Sequence, residues 1–313
     1  FVGILEAQRS TSTDIVLLCE GITKHATVIL KRLSRIFLES EDDPSRDSAI
    51  IYFIASVCAC DAHLKDLVCS DNFLLLVFKM LQKMYTSCTG KTDALLDSAF
   101  CSAIRHADIN QLESFGCYLI SNDERATQSG AGVLHAASTL HTLRLALLAT
   151  KGRGRRDALA STISAYWGTA VGMFQPFYQY QVESQQLSLD VWSSCMATGI
   201  DFFVILLEKS DVMVIKGRGI GLLLSHISEL FSKEKGKTLS FVLPASLFSC
   251  CCAFLSACLK RHPKHVYGCV PSFFCVVRSC FLHLVNASVE TKVDCKSFRE
   301  KATEFTRLCE MLP

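Results

Sequence analysis

Proline and glycine are scarce, at six and sixteen in 313 residues, too few to supply an all-β chain with turns about every ten residues. No stretch sustains the apolar–polar alternation of a half-buried strand, so a strand-built sheet is not expected. Charge of one sign is lacking too: 32 basic residues stand against 30 acidic ones, and the formal net charge is +2. The chain therefore lacks the basic excess of a dedicated nucleic-acid-binding domain, and any such binding has to be local. Seventeen cysteines are present, but none is spaced as Cys-x-x-Cys. An odd count without framework spacing argues against a disulfide scaffold and for a reducing compartment. With half the residues hydrophobic and a fifth charged, disorder and collagen-like structure are excluded.

Catalytic signatures are missing as well. There is no Gly-x-Ser-x-Gly elbow, no His-Glu-x-x-His and no carboxylate pair in a glycine-framed loop, so the chain reads as a non-enzyme. His106 and Asp108 are close in sequence, yet this order fits a C-terminal histidine followed by a new helix cap. Gly217, Gly219 and Gly221 follow the apolar run Val212 to Ile215 and mimic a dinucleotide-binding turn. The acidic residue expected about 20 positions later is replaced by the basic stretch Lys233 to Lys237, so no cofactor is expected. Gly90-Lys91-Thr92 and Gly236-Lys237-Thr238 resemble the end of a phosphate loop, but Tyr85 and Phe231 occupy the place of the earlier glycine. Cys258, His262, His265 and Cys269 offer four ligand types in one stretch. Without a tight cysteine knuckle they read as a polar connector rather than a zinc site.

What is present is helical spacing. A first helix opens at the cap Thr13 and carries Ile15, Leu18, Ile22, Ile29, Leu33 and Phe37 before the acidic turn at Glu41 to Pro44. Further helices are expected at about 46–60, 71–87, 93–106, 110–121, 132–149, 157–173, 185–209, 219–231, 240–259, 271–285 and 295–312. Leu243-Pro244 precedes Phe254-Leu255, and Val270-Pro271 precedes Phe281-Leu282, an echo that suggests repeated helical hairpins. The fold expected is all-α, a degenerate HEAT- or armadillo-like stack, with a helical-repeat segment at 1–130 continuous with a C-terminal helical domain at 131–313. The chain starts without methionine and reads as a fragment of something longer. Buried helical faces also account for cysteines such as Cys250, Cys251, Cys252 and Cys258, which behave as small hydrophobes.

Leu239 to Leu259 carries no charge and is long enough for a membrane span. Pro244 within it and Arg278 in the next apolar helix argue instead for a helix buried all round, so no membrane partner is expected. An aromatic segment, Tyr166, Trp167, Phe174, Phe177, Tyr178 and Tyr180, suggests core packing at its start and a partner-contact turn around Pro176. The candidate RNA- or partner-binding edge consists of two basic clusters, Lys151, Arg153, Arg155, Arg156 and Lys260, Arg261, Lys264. Connectors separated by an even number of stacked helices share an edge, which places the two clusters together and Lys233, Lys235 and Lys237 opposite.

The last third has an order of its own: Leu255 to Leu259, the basic Lys260 to His265, then Val270-Pro271-Ser272-Phe273-Phe274 with Val276, Val277, Arg278 and Leu282. A final helix carries Phe298, Ala302, Phe305, Thr306, Arg307 and Leu308. From about Ala131 to Pro313 this resembles the C-terminal domain of the unhealthy-ribosome-biogenesis family of the second type, the nucleolar pre-ribosomal-associated proteins. The cysteine clusters and the Gly217 to Gly221 turn depart from it. The resemblance implies a nucleolar, non-catalytic scaffold in large ribosomal subunit biogenesis and pre-rRNA processing. Its partners would be pre-ribosomal assembly factors and a DEAD-box helicase, with a pre-rRNA contact. It offers no catalytic residue to carry over. A cytoplasmic HEAT-type adaptor and a multi-pass membrane protein are the alternatives.

Overall fold

Capping chemistry sets where the helices begin. In the computed structural model the described residues are 25, 28–39, 43–58, 73–87, 90–121, 130–165, 172, 187–209, 223–225, 245–261, 303, 306–307 and 310. After a helical stretch at 28–39, Asp43 opens α1 (Pro44–Cys58), its carboxylate accepting from the amides of Ser45 and Arg46 at 3.1 and 3.2 Å. Pro44 sits at the first helical position, where a missing amide hydrogen costs nothing. Helix α2 spans Phe73–Ser87, and α3, Ala94–His106, starts at Asp93, which accepts from Leu95 N at 2.7 Å. Asp108 begins α4 (Ile109–Ser121) with a reciprocal pair: Gln111 N donates to Asp108 Oδ1 at 2.8 Å and Asp108 N donates to Gln111 Oε1 at 2.9 Å. That is a capping box, so the pairing of His106 with Asp108 marks a helix boundary. The remaining elements are α5 (Gly130–Ala149), α6 (Arg153–Ala165), α7 (Leu189–Lys209) and α8 (Ala245–Arg261). Among the described residues all regular structure is helical, and the fold is all-α.

Helix α5 is the hub. It packs against α2, α3, α4, α6 and α7, and Val133, Ala137, Thr142, Leu143 and Ala146 are fully buried on different sides of it. A helix enclosed in this way has no solvent stripe, so its apolar residues follow no single face. Its buried hydroxyls are satisfied by its own backbone: Ser138 donates to His135 O at 2.7 Å and Thr142 to Ser138 O at 2.8 Å. Three longer polar side chains each tie it to a different neighbour. His135 meets Gln82 of α2 at 2.7 Å, His141 meets Asp97 of α3 at 3.2 Å, and the Arg144 guanidinium donates to the Asp201 carboxylate of α7. One continuous apolar core runs from Leu30 to Leu259, across the division at 130.

Helix directions follow from the cross-contacts. Leu134 lies beside Val191 and Cys195 around Gly90, and ten residues further along α5 Arg144 meets Asp201, so α5 and α7 run parallel. Arg155, at the start of α6, reaches the C-terminal carbonyls of α3, and Arg261, at the end of α8, reaches that of α7. The C-termini of α3, α5, α7 and α8 therefore gather at one end of the molecule.

Two boundaries differ from those expected in a way that matters. The stretch Lys151 to Arg156 is not a free turn: α6 starts at Arg153, after Gly152 reverses the chain at φ +87°. Cations oppose the dipole at a helix start, which is why the sequence suggests a later beginning. Here Arg155 and Arg156 turn to the carbonyl ends of neighbouring helices instead. Similarly, Lys260 and Arg261 form the last turn of α8 rather than a connector, where their charge suits the dipole. The segments expected at 271–285 and in most of 295–312 lie outside the described residues.

Among the described residues the helix long and apolar enough to cross a membrane is α7, over Asp190–Lys209; of the Leu239 to Leu259 stretch singled out by its lack of charge, only 245–259 is described. The apolar window of α7 is 72% buried within the protein, and Asp201 in its second half holds Arg144. Both features fit a core helix.

Candidate functional site

Helix C-termini leave carbonyls without partners, and this chain serves several of them with cations. Lys83 Nζ donates to Phe37 O at 2.6 Å, near the end of the 28–39 stretch, and lies 5.2 Å from the Phe37 ring centre. Arg155 forks across the end of α3, donating to Ile104 O and Arg105 O at 2.9 Å each and to Ala107 O. Arg156 donates to Thr150 O, just past α5, at 3.1 Å. Arg261 closes α7 through Glu208 O at 2.7 Å.

Of the seven basic candidate residues, three are thus occupied by backbone carbonyls. Lys151 and Lys260 are exposed; Arg153 is exposed and 3.7 Å from Asp157 one turn on. Lys264 lies outside the described residues, as do Lys233, Lys235 and Lys237. The structure brings the Lys151 to Arg156 group and the Lys260–Arg261 pair to the same end, because α5, α7 and α8 finish there. What the sequence did not reveal is that the arginines cap helices. The signal available was only their position just after predicted helix ends.

A second polar group lies inside, where α2, α3, α5 and α7 converge. Gly90 turns there at φ +86°, its amide bonded to Tyr85 O at 2.8 Å; a Cβ would come within 3.1 Å of Cys195 Sγ. Nearby, Thr92 Oγ1 donates to Asp97 Oδ2 at 3.0 Å and lies 3.3 Å from His141 Nε2. The same nitrogen is 3.2 and 3.3 Å from the two Asp97 oxygens. A hydroxyl–imidazole–carboxylate relay needs its outer members on opposite ring nitrogens. Here both crowd Nε2, so the trio ties α3 to α5 and does not activate the hydroxyl.

The thiols of this region are unreactive by environment. Burial first, and then the neighbouring Asp97, push Cys101 above its ordinary range. Cys195 is fully buried and its thiol is pushed up to about 11, chiefly by burial, with the Tyr85 hydroxyl as a lesser, opposing influence. Tyr85 is itself shifted upward, by burial and then by Cys195. An unfolded thiol loses its proton near pH 9.0, whereas native Cys195 holds it to about 11. Between those values the unfolded chain binds fewer protons, so stability falls as pH rises, by up to about 1.4 kcal/mol per pH unit. Urea midpoints measured at pH 8, 9.5 and 10.5 (about half-unit control) should decrease in that order, and Cys195→Ala should flatten the slope. An unchanged slope would contradict the assignment to Cys195.

Gly90-Lys91-Thr92 is thus a packed turn leading into the Asp93 cap. Of the four zinc-type residues, Cys258 is buried in α8, while His262, His265 and Cys269 lie outside the described residues. So do the Gly217 to Gly221 turn, the Gly236-Lys237-Thr238 stretch and the aromatic residues from Tyr166 to Tyr180. Among the described residues no three histidine, cysteine or acidic side chains gather as metal ligands.

No protein-family model matches the chain, and no curated protein does. One solved structure that it resembles comes from work on computationally designed self-assembling cyclic homo-oligomers. It is 10% identical over 93% of this chain and 99% of that one, with a TM-score of 0.22, too low to carry an argument on fold or function.

Proposed function

We propose that this chain is a non-catalytic α-solenoid scaffold, a degenerate HEAT- or armadillo-like stack, that serves large ribosomal subunit assembly and pre-rRNA processing in the nucleolus. It would act by holding assembly factors, a DEAD-box helicase among them. The observation that carries a binding role is the common helix end, where Lys151, Arg153 and Lys260 stand exposed around arginines already committed to the fold. Supporting the stack, α3, α5 and α7 lie side by side, and connectors of two or three residues lead into α4 and α6, which pack on each other. Hairpins whose helices rest on next-but-one neighbours are how such stacks bury their faces. The nucleolar assignment rests on the resemblance of the last third of the chain. Expressed with a fluorescent tag, the protein is expected to concentrate in nucleoli, and its affinity purification should recover large-subunit precursor rRNA with assembly factors. Diffuse cytoplasmic signal with neither would reject the reading.

A further inference from the structure

Building on the scaffold reading, we propose that the common end of α3, α5, α7 and α8 docks an acidic peptide segment of a protein partner, carrying an apolar anchor, rather than a nucleic acid. Six exposed cations belong to this end: Arg105, Lys151, Arg153, Lys209, Lys260 and Arg261, the last also donating to Glu208 O. Each helix C-terminus adds roughly half a negative unit, which the guanidiniums of Arg155, Arg156 and Arg261 more than offset. The end is therefore positive on a chain that is nearly neutral overall.

Three features select a peptide over a phosphate backbone. Three of the five arginines at this end, Arg155, Arg156 and Arg261, already donate to carbonyl oxygens, and Arg153 stands 3.7 Å from Asp157, so few guanidiniums are open to fork a phosphate. Carboxylates are interspersed, with Asp108 and Glu208 exposed and Asp157 beside Arg153; they repel a continuous run of phosphates but tolerate a segment whose acids are spaced. Two large apolar side chains stand open at the same end, Leu148 one turn before Lys151 at 45% exposure and Ile109 just past α3 at 44%. An apolar anchor can use them, and a phosphate backbone cannot. The one exposed large aromatic side chain among the described residues is Tyr52 of α1, so the described residues of this end offer no stacking platform for bases.

Spacing gives the length. Lys151 and Lys260 are separated by the ends of α5, α7 and α8, neighbours at about 8–10 Å, hence about 20 Å overall. An extended peptide covers that distance in about six residues.

The test is fluorescence anisotropy on the full chain with three labelled probes. One is a peptide of about ten residues in which glutamates flank a central leucine, long enough to span both clusters. The second replaces each glutamate by glutamine, and the third is an oligouridine of equal charge. Expected is salt-sensitive binding of the glutamate peptide, a loss of at least about tenfold with the glutamine peptide, and weaker binding of the oligouridine. The double variant Lys151→Glu, Lys260→Glu should lose the glutamate peptide by about tenfold with an unchanged helical spectrum. Leu148→Ser should weaken it about threefold to tenfold while leaving the salt dependence intact. Preference for oligouridine, removed by the same double variant, would overturn the peptide assignment and leave the end as a partner site. Failure of both probes to bind would overturn the inference as well; the scaffold reading would then be judged separately, by whether the chain still purifies with precursor rRNA.

Discussion

Arg155→Ala is expected to destabilise the chain by about 2–3 kcal/mol, more than any other surface-proximal substitution, because one guanidinium serves three carbonyls at the end of α3. Removing it leaves the last-turn acceptors of α3 without donors at a place where α4 follows after two residues. Water can replace only part of this, since Ile104 and Ala107 are buried, although Arg105 is exposed. Lysine at the position is expected to restore less than half of the loss, because a single ammonium cannot fork across several oxygens. The readout is hydrogen exchange: amides in the last turn of α3 should lose protection in Arg155→Ala while those of α7 keep theirs. Equal protection in both proteins would show that the contacts are not maintained in solution. Charge reversal at Arg155 or Arg156 would confound any binding measurement, since a lost partner could then reflect a lost helix end.

A contrast within one helix carries the second large effect. Leu143 and Leu148 are five residues apart on α5, the first fully buried and the second 45% exposed. Leu143→Ala is expected to cost about 2–5 kcal/mol through lost transfer energy and the cavity it leaves, and Leu148→Ala less than about 0.5 kcal/mol. Urea midpoints of the two variants check this directly. Comparable losses would mean that α5 is not enclosed by α2, α3 and α7, and with that the hub would fail.

Much of the helical order was legible in the sequence, for reasons tied to particular residues. Asp93 and Asp108 stand where caps are needed, and the starts of α3 and α4 fall within one residue of the positions expected for them. For α1 the sequence placed Asp43-Pro44 in a turn and the helix start at 46, whereas Asp43 caps a helix that begins at Pro44. The start of α6 was not legible. Its first turn contains Arg153, Arg155 and Arg156, which looks unfavourable for a helix N-terminus until the carbonyls of α3 and α5 are beside it, and those contacts are 48 to 51 residues away for Arg155. The hub was legible as a helix but not as a hub. An all-round apolar pattern signals burial without saying which neighbours supply it. The candidate edge was half legible: the positions of the basic clusters could be counted along the chain, but the division between capping arginines and exposed lysines depends on contacts between distant segments.

Sedimentation of the tagged protein from nuclear extract, alongside its Lys151→Glu, Lys260→Glu variant, tests the scaffold claim most directly. Because both lysines are exposed, the substitutions should leave the fold intact. The unaltered chain is expected to travel in the gradient with large-subunit precursors, and the variant to shift toward the top with its helical spectrum unchanged. Both proteins remaining at the top, free of precursor particles, would contradict the account.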